Sequence, residues 1–304
     1  MTATILNATI FMILLSLATA THDAKLEITH LTREINLKAK YLRINYDIEL
    51  QNNGPVATKM YLHLVHRNFS QNLMDVLAFT KTKTELPLIQ EKKVEGGFRI
   101  ELPHSLPVGE KMQIKIIELY KNRLVPKPER LALSADEQKV EFVDNLFVYA
   151  AYPIRSQETV ISVPNIHRIE YYTDKEAVKT DKTKTIKYGP LLGAYKEEEL
   201  RVHYELAVPL VSFPYVERQI ELSHLGSISI SEHYELTNDG VKLDGEFSRV
   251  RYTSLTSSSQ AGHIFRKLHT QLPRRSFGLY YTDVIGNVST SVAFREVIFL
   301  SYGV

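Results

Sequence analysis

Leu42-Arg43-Ile44-Asn45-Tyr46-Asp47-Ile48-Glu49-Leu50 alternates apolar and polar residues without a break. A period of two places Leu42, Ile44, Tyr46, Ile48 and Leu50 on one side of a pleated strand. Arg43, Asn45, Asp47 and Glu49 fall on the other, so one face is dry and one wet. Asn53-Gly54-Pro55 supplies a turn after it, and Val56 to Val65 reads as the returning strand. Phe98 to Leu102 alternates in the same way. Met112, Ile114 and Ile116 continue the pattern until its parity slips at Ile117 and Leu119, which predicts a bulge. Val140 to Val148, Thr159 to Val163 and Val202 to Val208 complete an all-β first region.

Helical signals are sparse. Asn72 to Phe79 fits two turns with Asn72 as N-cap, and Ser134 fits the cap of a short turn through Gln138. Ile264, Leu268 and Leu272 share a helical face, although Ile264 to Leu268 reads equally as a strand. The Lys-rich stretch Thr173 to Lys187 is diluted by Asp174, Glu176 and Asp181 and predicts a solvated loop. The lysines at 81, 83, 92 and 93 carry the same expectation.

The chain has 304 residues, 44% apolar and 24% charged, enough for two domains with real cores. A formal charge of +2 provides no concentrated basic face, which argues against nucleic acid as a partner. Ile10 to Leu17 followed by Ala18-Thr19-Ala20 has the form of a secretory leader, with cleavage expected after Ala20. The sequence contains no cysteine, which removes disulfides, thiolate metal sites and cysteine nucleophiles. No later stretch reaches the ~18 apolar residues that a spanning helix needs.

An internal echo organises the chain. Arg33-Glu34-Ile35-Asn36-Leu37 precedes Tyr46 to Gly54, and Arg218-Gln219-Ile220-Glu221-Leu222 precedes His233 to Gly240 at a spacing that differs by one residue. Ile44, Ile48 and Leu50 answer Ile230, Tyr234 and Leu236 in parity. The expectation is an all-β protein of two related antiparallel β-sandwich domains with a few short helices. They would cover residues 21–215 and 216–304, the second copy being incomplete.

Catalytic constellations are not apparent. His63 and His66 lie three apart, which on a strand points them to opposite faces and away from a common ion. His203 with Glu205, and His233 with Glu235, each offer two ligands and no third. Gly189-Pro190-Leu191-Leu192-Gly193 lacks the lysine of a phosphate-binding loop, no Gly-x-Ser-x-Gly elbow occurs, and Glu197-Glu198-Glu199 sit in a charged stretch. The expectation is no catalytic, metal or cofactor residue. Two N-glycosylation sequons stand out, Asn68-Phe69-Ser70 and Asn287-Val288-Ser289; Asn7 falls in the leader. Asn287 follows Ile285-Gly286 and reads as an exposed turn, whereas Asn68 follows a strand pattern that would partly shield it.

Several stretches resemble the ribophorin I family: Tyr188-Gly189-Pro190 with Val202-His203-Tyr204-Glu205, and Ile220 to Gly226 with Leu225 in place of the family's tryptophan. Phe247-Ser248-Arg249 and Leu279 to Ser291, sequon included, continue the match, which is dense from about Ile186 and thinner from Leu31 to Pro164. The resemblance implies a non-catalytic scaffold and substrate-handling subunit of the oligosaccharyltransferase complex of the endoplasmic reticulum. That complex moves a preassembled glycan from dolichyl diphosphate to Asn in N-x-S/T. It implies the other subunits as partners, including the catalytic STT subunit, together with nascent polypeptides, translocon and ribosome. Family members are single-pass type I membrane proteins, and this sequence departs from them after Ser291. The alternative is a free secreted β-sandwich module that binds carbohydrate or peptide.

Overall fold

The computed structural model describes residues 26–39, 41–133, 138–175, 177–193, 195–248, 250, 267–273, 275–282, 286, 292–294 and 297–301. Alternation becomes strand wherever a neighbour accepts the backbone. The strands are β1 (Leu26–Asn36), β2 (Leu42–Asn52), β3 (Thr58–Leu64), β4 (Leu73–Thr80), β5 (Leu88–Gln90), β6 (Gly97–Leu106) and β7 (Lys111–Tyr120). There follow β8 (Val125–Pro126), β9 (Arg130–Leu131), β10 (Gln138–Asn145), β11 (Ser156–Ser162), β12 (Ile169–Tyr172), β13 (Ala177–Thr180), β14 (Thr185–Leu192) and β15 (Glu199–Leu206). The last are β16 (Val211–Leu222), β17 (Ile228–Asn238), β18 (Lys242–Leu243), β19 (Lys267–Gln271), β20 (Val292–Phe294) and β21 (Val297–Ser301). Two short 3-10 helices, Arg67–Asn72 and Ile166–Arg168, lie among these strands. The protein is mainly β, as the alternation predicts.

Two units divide the chain. The first takes the described residues up to Val125 together with Val140–Glu205; the second takes Pro126–Lys139 and the described residues from Leu206 onward.

The first unit is a sandwich. One layer is a seven-stranded sheet in the order β13-β14-β11-β1-β2-β7-β4. The other is built from β3-β6-β5 and from β12-β15-β10-β8. Inward residues of β2 (Leu42, Ile44, Tyr46, Ile48, Leu50) are all buried, and meet Tyr61, Ile100, Leu102, Val140, Phe142, Val202 and Tyr204 from the opposite layer in one apolar core. Arg43, Asn45, Asp47 and Glu49 are half-exposed, so the register is the one the alternation sets. The sheet is mixed rather than wholly antiparallel: β1 runs parallel to β11, with Leu31 opposite Gln157 and Asn36 opposite Ser162.

Four expectations are corrected. Val56 to Val65 does not return along β2; β2 already has β1 and β7 as neighbours, and β3 pairs with β6 in the facing layer. Asn72 to Phe79 is strand β4, drawn into the sheet by β7, and the 3-10 turn before it is capped by the His66 ring accepting from Asn68 N. Thr173 to Lys187 is largely a hairpin, β13–β14, at the edge of the large sheet. β7 has no bulge against β2; its pairing runs unbroken from Lys111 to Tyr120. The turn expected from Ser134 lies mostly outside the described residues, and Gln138 opens β10. Leu268 lies on β19, which settles that position as strand.

A bulge does occur in β14. Register passes from Gln157↔Leu191 to Thr159↔Tyr188, so Gly189 and Pro190 stand opposite the single residue Glu158. Gly189 has φ +103°, and a Cβ there would approach Gln157 O to 2.8 Å. Only glycine fits both constraints.

In the second unit β16 and β17 form a hairpin. β18 pairs parallel with β9, and β19, β20 and β21 make a sheet in the order β19-β21-β20. The buried Gln138 side chain donates to Val208 O (2.6 Å) and accepts from Val241 N (3.2 Å), beside buried Leu133, Leu210 and Val241. The echo extends to register. Ile35 faces Ile44 across β1–β2, and Ile220 faces Ile230 across β16–β17. The extra residue of the second block falls in the connection between its strands. One face of that hairpin carries Val216, Ile220, Leu222, Ile228, Ile230 and Tyr234, all largely exposed.

Candidate functional site

A cluster of buried ionisable groups lies inside the first unit. β7 keeps perfect alternation, so the inward place after Met112, Ile114 and Ile116 belongs to Glu118, opposite Ile44 of β2. A carboxylate moved from water into a core costs several kcal/mol unless donors surround it. Three do. Tyr46 Oη and Tyr120 Oη donate to Glu118 Oε2 at 2.9 and 2.8 Å, and His63 Nε2 lies 2.6 Å from Oε1. A carboxylate only accepts, so Nε2 carries the hydrogen and His63 donates. Glu118 is 1% exposed and His63 4%. Burial, and then the negative charge of Glu118, hold the Tyr46 and Tyr120 phenols well above the ordinary tyrosine pKa.

Arg33 on β1 reaches the same core from the neighbouring strand. Its Nε donates to Thr159 Oγ1 (3.2 Å), its Nη2 to Asn145 O (2.9 Å) and Leu146 O (3.0 Å), and its Nη1 lies 3.8 Å from Asp144 Oδ2. One side chain thereby ties β1 to β11 and to the end of β10. Arg123 approaches that same Asp144 oxygen to 3.9 Å and donates from Nη2 to Val143 O at 2.7 Å. Its guanidinium carbon lies 3.2 Å from the centre of the Phe69 ring, a cation–π stack. Arg123 Nη1 is buried with no hydrogen-bond partner among the described residues. Burial draws the Arg123 pKa below its ordinary value, and Asp144 opposes the shift.

Between these groups is a cavity of about 20 Å³, bordered by Arg33, Tyr46, Glu118, Tyr120, Arg123 and Asp144. That is room for one water and little else. At its rim His66 contacts Phe69 (5.2 Å between ring centres) and Tyr149 (5.5 Å), and Tyr149 contacts Tyr195 (5.6 Å). Burial lowers the His66 pKa. Burial, with the Glu197 charge second, pushes Tyr195 up to about 12. Two arginines balance two carboxylates, and most of their polar atoms are committed to protein partners. Chemically the arrangement locks strands together.

The residues singled out in the sequence fall elsewhere. Asn68 is exposed on the 3-10 helix Arg67–Asn72, and the shielding expected from the preceding strand does not occur because β3 ends at Leu64. Asn287 and Ala20 lie outside the described residues. His63 points into the core while His66 lies beyond the strand end, so the two do not converge. Glu205 pairs with Arg168 (3.3 Å), and the His233 ring packs on Tyr215. Among the described residues no three His, Cys, Asp or Glu side chains come together as a metal site. Arg33, Glu118, Arg123 and Asp144 were not foreseen. The signal for Glu118 was the parity slip at Ile117, which marks a charged residue in an inward place rather than a bulge.

The family model for ribophorin I matches residues 26–300. The chain belongs to the ribophorin I family. An Arabidopsis thaliana relative, named dolichyl-diphosphooligosaccharide–protein glycosyltransferase subunit 1B, is 30% identical over 293 residues, covering 92% of this chain and 62% of the relative. A Caenorhabditis elegans relative, named subunit 1 of the same glycosyltransferase, is 29% identical over 266 residues, covering 85% of this chain and 44% of the relative. The chain thus spans about half the length of the ribophorin I relatives it matches. An M1 zinc metallopeptidase from Deinococcus radiodurans aligns over 68% of this chain and 47% of its own at 10% identity and a TM-score of 0.37, which supports no argument.

Proposed function

We propose that this chain is a non-catalytic scaffold and substrate-handling subunit of an oligosaccharyltransferase in the endoplasmic reticulum. The complex would transfer a lipid-linked glycan to Asn in N-x-S/T, with catalysis in its STT subunit. The observation that carries the reading is the family match across residues 26–300, whose relatives bear the name of subunit 1 of that transferase. The interior of the first unit is consistent with it, since its ionisable groups are spent on holding strands together. The sequons and the leader-like N-terminus fit the same compartment.

The test is recovery of the tagged chain from solubilised microsomes. Co-purification with the catalytic subunit in a defined complex is expected. Recovery as a free chain from cells that contain intact transferase would overturn the proposal.

A further inference from the structure

We propose that Asn68 is an occupied N-glycosylation site, which would make this chain a substrate of the reaction its family serves. The inference rests on the compartment in the reading above. Its structural basis is the 3-10 helix Arg67–Asn72, which contains the whole sequon Asn68-Phe69-Ser70. At three residues per turn, neighbouring side chains point about 120° apart. Phe69 is turned inward over the Arg123 guanidinium, 3.2 Å from ring centre to carbon, and this anchor rotates Asn68 outward. Asn68 is exposed; its backbone N–H donates to His66 Nδ1, and its carboxamide makes no hydrogen bond among the described residues. Ser70 Oγ is held by Arg67 O at 2.9 Å, so the sequon hydroxyl belongs to the same turn.

A glycan on Asn68 Nδ2 therefore breaks no contact of the fold and projects into solvent. In the transfer, Nδ2 bonds to C1 of the first sugar of a lipid-diphosphate-linked oligosaccharide. The bond from C1 to the diphosphate oxygen breaks, the lipid diphosphate leaves, and Nδ2 gives up one proton. Phe69 and Ser70 are both engaged in the closed unit, so the transfer precedes its closure.

The experiment is expression of the full chain in a secretory host, peptide N-glycosidase digestion and peptide mass spectrometry. Conversion of residue 68 to Asp by the digestion is expected, and Asn68→Gln and Ser70→Ala should each raise gel mobility by one glycan step. A control carries an added sequon appended after Val304. An unmodified Asn68 peptide alongside a modified control would overturn this inference and leave the compartment standing. An unmodified control as well would overturn the compartment, and this inference with it.

Discussion

Glu118 and His63 meet inside the first unit with Oε1 and Nε2 2.6 Å apart, although 55 positions separate them in the chain. The contact joins β7 of one layer to β3 of the other. Removing the carboxylate strands His63 and the hydroxyls of Tyr46 and Tyr120 without their acceptor. Glu118→Ala should therefore cost about 3–5 kcal/mol, the usual penalty for breaking a buried pair. Glu118→Gln keeps one acceptor oxygen and should cost clearly less. Urea unfolding midpoints of the two variants decide it; equal midpoints would show that the cluster does not hold the layers.

Gly189 should not tolerate a side chain. Its φ of +103° and the 2.8 Å approach to Gln157 O combine backbone strain with a clash against main chain. Gly189→Ala is expected to cost about 1–3 kcal/mol, with the loss seen as an earlier thermal transition. Unchanged stability would mean that the β14 bulge rearranges freely.

Alkaline pH should unfold the protein. The pKa values of Tyr46, Tyr61, Tyr120 and Tyr204 are raised above their ordinary value, chiefly by burial. An unfolded tyrosine titrates near about pH 10, so above that pH the unfolded state holds fewer protons than the folded one. Stability is then complete below about pH 10 and falls as pH rises toward the folded values. Phenolate absorbance should rise in two stages, the later one coinciding with loss of the far-ultraviolet β signal. If all 17 tyrosines titrate smoothly near pH 10 with the sheets intact, the core is open to water.

Limited proteolysis should cut first in the β16–β17 hairpin or beyond it. Leu222, Leu225 and Ile228 are 74, 96 and 64% exposed at its tip, whereas the equivalent β1–β2 pair is buried in a sandwich. We propose that the first unit folds as one domain and that the second unit is a weaker one. A stable fragment ending near Pro209 to Val216 is expected. Cooperative protection through Phe294 in a monomer would end the two-domain proposal.

N-terminal sequencing of the mature protein should begin at Thr21, following cleavage after Ala20. Retention of Met1 on a cytosolic protein would remove the secretory route and the glycosylation argument together.

What the sequence determined by itself was the mainly β character, the facing of its alternating strands, and the family. Alternation is a local property, written by neighbours two apart, and it correctly placed Ile44, Tyr46, Ile48 and Leu50 in the core. The echo, read from the sequence only as two related domains, coincides in the structure with two strand pairs of matching register. The Lys-rich stretch at 173–187 misled because an edge strand carries charge to deter further pairing, which leaves its composition like that of a loop. Only the tertiary structure decided which strands are neighbours and which charges are inside. β3 joined β6 because both sides of β2 were already occupied. Glu118 was buried because His63, Tyr46 and Tyr120 converge on it, and Arg33 because carbonyls more than a hundred residues away accept its hydrogens. A buried charge is stable only where distant segments supply its partners, and no window of neighbouring residues contains that information.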